Sequence, residues 1–357
     1  MKTTTHAAAA ERRLIDLRNL PGSEQGHVVK GEGKFPRFAR FDDGAVFVAT
    51  HRGSHQSARS NSLQGFVSTD GGRTWSEPRE MFYKPGIDPR SPAVGVGPDG
   101  VLYAGWRERK WDDPADSRVA FYRSEDRGRN WTFVSEINLP DETRVGHPYG
   151  KLLIDNDRIL IPVYTIAKTG KGPMDSRLFV SNDRGESWHQ QSIIQEGANE
   201  TFVTRRPNGD VLAFYRDNHP DIRGIEEKLW LRVSQDAGQT WGEAVRLTTA
   251  GQHPAEAVCL DNRTWVCFYS HRTKPFGVRA RVSDDAGHTW RGDIELMVDD
   301  TWTHFDCGYP TAELVDDGDT LLIAWYVNND KPEDLQRDRQ CRMLRVKADA
   351  LKGELEP

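Results

Sequence analysis

Short apolar runs that each follow a polar turn recur six times along the chain. Each copy opens with residues such as Asp, Asn and Gly, which favour tight turns. Each then continues as a run of Val, Leu, Ile and aromatic residues, which is typical of a buried strand. The pattern predicts one β-hairpin per copy. The copies are Asp42–Thr50, Pro98–Trp106, Asp155–Tyr164, Pro207–Arg216, Leu260–Tyr269 and Asp316–Tyr326.

A second pattern, Ser-x-Asp-x-Gly-x-x-Trp, occurs five times between these runs. In such a turn the Asp accepts hydrogen bonds from backbone N–H groups, the Gly supplies a positive φ, and the Trp covers the hairpin with apolar area. A strand pattern precedes each copy, so the motif predicts a second hairpin. Successive serines lie 56, 57, 53 and 49 residues apart. The copies are Ser68–Trp75, Ser124–Trp131, Ser181–Trp188, Ser234–Trp241 and Ser283–Trp290.

Two hairpins per unit give four short strands in about 50 residues, which is the size of a propeller blade. Six copies of the first hairpin and five of the second predict an all-β, six-bladed β-propeller of four-stranded antiparallel blades, with the second motif missing from the last blade. Strand Cys341–Asp349 belongs to that blade, and His27–Phe38 is expected to close the ring by pairing there. We predict an N-terminal extension (1–26), one propeller domain (27–350) and a C-terminal tail (351–357).

Composition limits the partners more than the fold. The chain has 357 residues, of which 36% are hydrophobic and 29% charged, and its formal net charge is −6. A mild acidic excess without a long basic block gives no reason to expect a nucleic-acid partner. No cluster of His, Cys and carboxylate residues has metal-ligand spacing, so we expect no metal and no cofactor.

The N-terminus and the cysteines bear on location. Ala7–Ala10 is too short for the apolar part of a signal peptide and is followed by Glu11, Arg12 and Arg13. No apolar stretch approaches the length of a membrane span, so we expect no membrane partner. The four cysteines show no paired spacing, which favours reduced thiols. We therefore expect a cytoplasmic protein.

The repeated Ser-x-Asp motif resembles the Asp box of the sialidase (neuraminidase) superfamily, and the resemblance covers roughly residues 30–345. It implies the propeller fold. Because Asp boxes lie on the blade rims and also occur in non-catalytic propellers, function has to be inferred from other segments. Three segments are similar to funnel-lining sialidase segments: Gly197–Asp217, Gly146–Tyr164 and Cys307–Tyr326.

The resemblance implies a tyrosine nucleophile and its base. Tyr309 matches the sialidase nucleophile, which precedes a strand and an Asp-Gly turn, and Glu200 matches the acidic residue paired with it. A sialic acid carries a carboxylate on its anomeric carbon, so a carboxylate nucleophile would be repelled there. A tyrosine stays neutral until a neighbouring Glu takes its proton, and sialidases are the recognised tyrosine exception among glycosidases. The segment Gly146–Tyr164 would line the funnel with His147 and Tyr164.

Arginines would hold the substrate carboxylate through charge-assisted hydrogen bonds. Arg216 matches the Arg that ends the strand after Glu200. The first clamp should lie near the N-terminus, where Arg37 is the better candidate and Arg40 the alternative. For the third clamp Arg272 and Arg279 both qualify, and the spacing does not choose between them.

One departure from the sialidase pattern concerns the acid/base Asp. The corresponding first-blade loop, His51–Gly65, contains no Asp or Glu. It offers His51, Arg52 and His55 instead, and we predict His55 as the general acid/base and Arg52 as a substrate contact. The spare carboxylates are those of the second-blade loop: Asp112, Asp113 and Asp116.

These residues leave three hypotheses. The first is a sialidase-like exo-acting glycoside hydrolase that removes a terminal acidic sugar from a small carbohydrate or glycoconjugate. The second is a uronate-directed polysaccharide lyase or a rhamnosidase-type hydrolase on the same propeller, with a His of the first-blade loop at its centre. The third is a non-catalytic carbohydrate-binding propeller, which requires that the charged strand ends do not converge.

Overall fold

The computed structural model describes residues 12–54, 57–113, 116–169, 174–218, 226–329 and 338–356. Within these ranges the chain forms 26 strands in six sheets. Two strands, β1 (Arg13–Asp16) and β2 (Glu24–Val29), flank a short 3-10 helix (Leu17–Asn19) at the N-terminus.

The other strands follow one another blade by blade. Blade one contains β3 (Lys34–Arg40), β4 (Val46–Ser54), β5 (Ser57–Ser68) and β6 (Arg79–Phe82). Blade two contains β7 (Ile87–Val96), β8 (Leu102–Lys110), β9 (Ser117–Ser124) and β10 (Thr132–Glu136). Blade three contains β11 (Thr143–Pro148), β12 (Leu153–Asp155), β13 (Arg158–Ala167), β14 (Asp175–Ser181) and β15 (His189–Glu196). Blade four contains β16 (Ala198–Arg205), β17 (Val211–Asp217), β18 (Leu229–Ser234) and β19 (Val245–Arg246).

The last two blades each recruit an N-terminal strand. Blade five contains β20 (Gln252–Cys259), β21 (Trp265–His271), β22 (Phe276–Ser283) and β23 (Ile294–Trp302). Blade six contains β24 (Gly308–Val315), β25 (Thr320–Asn329) and β26 (Asp338–Lys347), and a helix, α1 (Ala348–Leu355), follows it. Strand β1 adds to β23 in parallel, and β2 pairs antiparallel with β26 as the fourth strand of blade six. The predicted six-bladed propeller is confirmed.

The ends of the domain differ from the predicted boundaries. The boundary after residue 26 cuts through β2 and leaves out β1, although both strands are hydrogen-bonded into blades. The ring is closed by Glu24–Val29, whereas Lys34–Arg40 opens blade one. At the other end Leu351 is buried within the core, so the predicted tail begins inside a packed helix. Apolar packing places both of these terminal segments within the domain, and the hairpin pattern does not predict such packing.

The Asp boxes are locally satisfied turns. In the fourth, the Ser234 hydroxyl donates to Asp236 Oδ1 over 2.7 Å and accepts the backbone N–H of Gly238 over 2.7 Å. The same carboxylate accepts the Thr240 N–H over 2.8 Å and the Thr240 hydroxyl over 2.6 Å. These hydrogen bonds lower the pKa of Asp236 to about 2. The motif is therefore structural, because it consumes its own hydrogen-bonding capacity.

The hydrophobic core lies between neighbouring blades, and the Asp-box glycines allow the close approach. Gly128 of blade two has φ 81°, and a Cβ there would come within 2.5 Å of the Phe47 ring in blade one. Gly185 of blade three has φ 89°, and a Cβ there would come within 2.2 Å of the Phe121 ring in blade two. Only glycine satisfies both the backbone and the packing requirement. No helix in the described ranges is long and apolar enough to cross a membrane.

Candidate active site

The inner strands share an irregularity where they meet the central cavity. In β3, β7, β16 and β24 the register with the next strand slips, so that two residues oppose one. The first of the two has a positive φ in each case: Phe35 (53°), Ser91 (54°), Glu200 (40°) and Tyr309 (49°). Such a conformation is costly for a non-glycine residue and clusters at functional sites. All four residues line one cavity of about 150 Å³.

Proline marks most of these bulges in the sequence. Pro36, Pro92 and Pro310 follow Phe35, Ser91 and Tyr309 directly. A proline cannot donate to the strand ladder, so it is tolerated where a bulge already interrupts the pairing. The repeated x-Pro at the start of an inner strand was therefore a signal for the position of the cavity.

Tyr309 and Glu200 meet across this cavity. The Tyr309 hydroxyl donates to Glu200 Oε1 over 2.5 Å. The second carboxylate oxygen of Glu200 accepts Arg216 Nη1 over 2.6 Å. Arg216 is held from the other side by the buried Glu227, whose Oε2 accepts Arg216 Nε over 2.8 Å. The segments that carry the pair, in blades four and six, are 109 residues apart in the sequence.

The electrostatics of the pair keep the proton on the tyrosine. Burial raises the pKa of Glu200, but the charges of Arg216 and Arg272 and the Tyr309 hydroxyl outweigh it, so that pKa is lowered overall. Burial and the Glu200 charge raise the pKa of Tyr309 against the opposing effect of the two arginines. The resting site thus contains a carboxylate that accepts a neutral phenol, as a base needs before it takes the proton.

Two further arginines from other blades surround the pair. Arg37 is 2% exposed, its Cζ lies 4.3 Å from the Tyr149 ring centroid, and its Nη1 is 3.4 Å from the Tyr309 carbonyl. Arg272 follows β21, is 8% exposed, and its Cζ lies 5.2 Å from the Tyr309 ring centroid. Its Nε and Nη2 have no hydrogen-bond partner among the described residues. A buried guanidinium with unused donors is ready for an anionic ligand.

His147 and Tyr164 form another wall of the cavity. Their rings stack with centroids 4.7 Å apart and 5° between the planes. His147 Nε2 lies 2.8 Å from Arg107 Nη1, which donates to it. Burial and the Arg107 charge hold the pKa of His147 well below its ordinary value, so the imidazole is neutral near pH 7. Burial also raises the pKa of Tyr164.

Other predicted residues lie away from the cavity. Arg279 Nη1 donates to the Asp299 carbonyl over 3.0 Å within blade five, whereas Arg272 lies against the Tyr309 ring. The Arg52 side chain is 62% exposed, with its Nε 3.8 Å from Glu32, because the strand alternation at β4 turns it outward. Arg40 pairs with Val46 at the other end of β3 from the cavity, unlike Arg37.

The remaining candidates for the acid/base role are three aspartates of the second-blade loop and His55. Asp112 and Asp113 are exposed and do not line the cavity, and Asp116 is ion-paired with Lys110. His55 lies outside the described residues.

Sequence reasoning missed a charged cluster beside the cavity. Asp88 in β7 is fully buried and accepts Asn61 Nδ2 and Arg90 Nε, each over 2.6 Å, while His51 Nε2 lies 3.8 Å away. Burial raises the pKa of Asp88, but His51 and Arg90 lower it below the usual range. Arg90 lines the cavity. The sequence marks Arg90 only by its place just before Ser91 and Pro92. Tyr149, which also lines the cavity, was missed as well.

Comparison with known proteins agrees with this architecture. Residues 91–322, more than half of the chain, match the family described as BNR repeat-like domain, and residues 66–77 match the BNR/Asp-box repeat. A sialidase from Bacteroides fragilis (strain YCH46) is 22% identical in a 296-residue alignment that covers 70% of this chain. The chain spans about half, 51%, of the length of that relative.

Solved structures show the same fold. A Dyadobacter fermentans protein of unknown function superposes with a TM-score of 0.75 at 21% identity, covering 92% of this chain and 100% of that one. A Trypanosoma rangeli sialidase, in complex with a 2,3-difluoro derivative of a 2-keto-3-deoxy-nononic acid, superposes with a TM-score of 0.69 at 14% identity, covering 95% of this chain and 60% of that one. The chain therefore belongs to the BNR repeat-like domain family and is an Asp-box propeller of the sialidase superfamily.

Proposed function

We propose that this protein is an exo-acting glycoside hydrolase that removes a terminal sialic-acid-type sugar. The observation that carries the proposal is the 2.5 Å hydrogen bond from the Tyr309 hydroxyl to the ionised Glu200. The bond lies in a buried cavity among arginines from three blades, Arg37, Arg216 and Arg272. Named sialidases among the relatives support the choice of substrate class.

The arrangement suits a substrate with a carboxylate on the reacting carbon. Arg37 and Arg272 would bind that carboxylate, and Arg272 has two unused donors for it. Arg216 already donates to Glu200, so its first role is to orient the base, and any contact it makes with the substrate is additional. A neutral phenol can approach an anionic substrate where a second carboxylate would be repelled.

The reaction would proceed with retention in two displacements. Glu200 takes the Tyr309 proton as the phenolic oxygen bonds to the anomeric carbon and the glycosidic carbon–oxygen bond breaks. The leaving oxygen receives a proton, for which we propose His55, between β4 and β5 in the sequence. Water then attacks the anomeric carbon and gives up a proton to His55, and the proton on Glu200 returns to the phenolic oxygen as the bond to Tyr309 breaks.

Release of a fluorophore from a sialic-acid aryl glycoside tests this proposal. We expect the wild type to turn over and Tyr309→Phe to lose about 10³-fold or more in kcat, because the nucleophilic oxygen is gone. Tyr326→Phe is the matched control, since its ring centroid lies 5.7 Å from that of Tyr309 and its hydroxyl is bound to Asp306 over 2.7 Å. Wild-type turnover that survives intact in Tyr309→Phe would contradict the proposal.

A second candidate is a uronate-directed lyase, which the neutral pair of His147 and Tyr164 favours. Both groups line the cavity, and both are held in their uncharged forms. Glu200 is the single carboxylate residue among the described residues that line it. An unsaturated product that absorbs in the near ultraviolet on incubation with a polyuronate, and no fluorophore release from the sialoside, would favour this candidate.

A further inference from the structure

A cleft between blades four and five is lined by several basic side chains. It has a volume of about 420 Å³ and is lined by Val245–Thr249 on the blade-four side and by His288–Trp290 of blade five, with Arg12 and Arg281. Three arginines and His288 line it, and among the described lining residues there is no Asp or Glu. The whole chain has a net charge of −6, so this local excess runs against the overall balance.

The donors of this cleft are only partly used. Arg281 is 8% exposed, its Nη1 donates to the Arg291 carbonyl over 3.0 Å, and its Nε has no partner. The Arg246 side chain is exposed and makes no hydrogen bond or ion pair within the described part of the chain. Arg12 is partly neutralised, since its Nη1 lies 3.6 Å from Glu295. A buried guanidinium without a carboxylate partner is expensive unless a ligand supplies the charge.

The surroundings of the Asp-box tryptophan differ from one blade interface to the next. At the two preceding blade interfaces, a serine of the outer strand accepts the indole N–H of the next Asp-box tryptophan: Ser135 for Trp188 over 3.1 Å and Ser192 for Trp241 over 3.0 Å. The outer strand of blade four, β19, has only two residues. Within the described residues the indole N–H of Trp290 has no hydrogen-bond partner, as is also the case for Trp75 and Trp131 in blades one and two. The shortened strand leaves the Trp290 ring and the arginines around one opening.

We propose that this cleft binds an acidic oligosaccharide at a site separate from the cavity that contains Tyr309. The arginines supply donors for carboxylate groups, and the Trp290 ring supplies an apolar face for a sugar ring. The site would hold a substrate chain or product glycan while the terminal sugar reacts elsewhere. That role rests on the proposed function, whereas binding at the cleft can be tested apart from the reaction, because none of its lining residues lines the cavity.

Binding of size-matched trimers tests the proposal. Fluorescence anisotropy with end-labelled trimers of sialic acid, of galacturonic acid and of N-acetylglucosamine separates acidic from neutral sugars. We expect at least one acidic trimer to bind and the neutral trimer to bind at least about tenfold more weakly. Arg246→Glu should weaken the acidic trimer about tenfold or more, because it replaces a cation by an anion at an exposed position that tolerates the change.

Matched variants separate this site from the reaction. Arg144→Glu makes the same charge change at an exposed arginine in β11, away from the cleft, and should bind the trimer like the wild type. Trp290→Phe keeps an aromatic face, so a several-fold loss is expected there. Hydrolysis of the small aryl glycoside should be unchanged in Arg246→Glu, which distinguishes a failed reaction from a failed site. Equal binding by Arg246→Glu and the wild type, or no binding of either acidic trimer at 1 mM, would overturn the proposal.

Discussion

The Asp boxes and the inner-strand bulges are both repeated features, yet the repeat has opposite consequences in them. Each Asp box repeats the same residues, and these residues satisfy one another, as Ser283, Asp285 and Thr289 do in blade five. Each bulge repeats a backbone irregularity but presents a different side chain, such as Glu200 or Tyr309. Repeated identity therefore indicates stability in this fold, whereas a repeated backbone with varied side chains indicates the site.

The largest expected effect lies at a bulge. Glu200→Gln should lower kcat by about 10²–10⁴-fold, because an amide cannot take the Tyr309 proton. The melting temperature should fall as well, because the neutral amide no longer pairs with the buried Arg216, so kcat has to be compared per folded molecule. Steady-state kinetics on the aryl sialoside with a melting curve for each protein checks both parts. A loss of activity that merely follows a loss of folded protein would refute the assignment.

The same residue predicts a pH dependence. The pKa of Glu200 is lowered in the fold, so the active, ionised form persists above that value and is lost as the pH falls through it. The acidic limb of kcat/KM should therefore lie below the ordinary glutamate pKa of about 4.3. An acidic limb clearly above that value would show that another group controls the reaction.

An intermediate effect is expected for the arginine with unused donors. Arg272→Gln should weaken an unsaturated 2-keto acid sugar inhibitor by about 30-fold or more, because a buried charge that binds the carboxylate is lost. Arg279→Gln is the matched control in the same blade, where Nη1 binds a backbone carbonyl instead. Calorimetry of both variants separates the two positions that spacing left open. Equal losses in the two variants would contradict the geometry.

A substitution in an Asp box at the rim should lower the stability of the protein and leave its activity unchanged. Asp285→Ala removes the acceptor for the Ser283 and Thr289 hydroxyls and for the Thr289 N–H, and should cost about 1–3 kcal/mol in the free energy of unfolding. Activity per folded molecule should stay the same. Urea unfolding with parallel kinetics checks this, and a specific loss of kcat would mean that the rim and the cavity are coupled.

Low pH should reduce the stabilisation that the Asp285 carboxylate provides. The pKa of Asp285 is about 2 in the fold because its hydrogen bonds outweigh the effect of burial. Since the folded pKa lies below the unfolded one, the stabilisation is complete above about pH 4 and declines as the pH falls towards 2. The difference between Asp285→Ala and wild type should therefore narrow between pH 6 and pH 3. A constant difference would mean that the carboxylate charge is not what stabilises the turn.

The smallest effect is expected for Arg52→Ala. This side chain is 62% exposed and its nearest charge, Glu32, is 3.8 Å from its Nε. Exposed ion pairs contribute little, so kcat/KM and the melting temperature should stay within about twofold and about a degree of the wild type. A marked loss of kcat/KM would return Arg52 to the cavity and weaken the contrast between exposed and bulge positions.

The amino-acid sequence determined the propeller, the number of blades and the turns, because these depend on interactions within about ten residues: Ser68 with Asp70 and Gly72, or an apolar run after a turn. The resemblance of short segments also singled out Glu200, Arg216 and Tyr309. Tertiary structure decided which residues meet. Arg272 lies against the Tyr309 ring while Arg279 binds a carbonyl of its own blade, Asp88 of blade two lies beside His51 of blade one, and β1 and β2 belong to blades five and six. The repeated x-Pro marks most of the bulge positions, but these outcomes depend on contacts between blades, which the repeat does not specify.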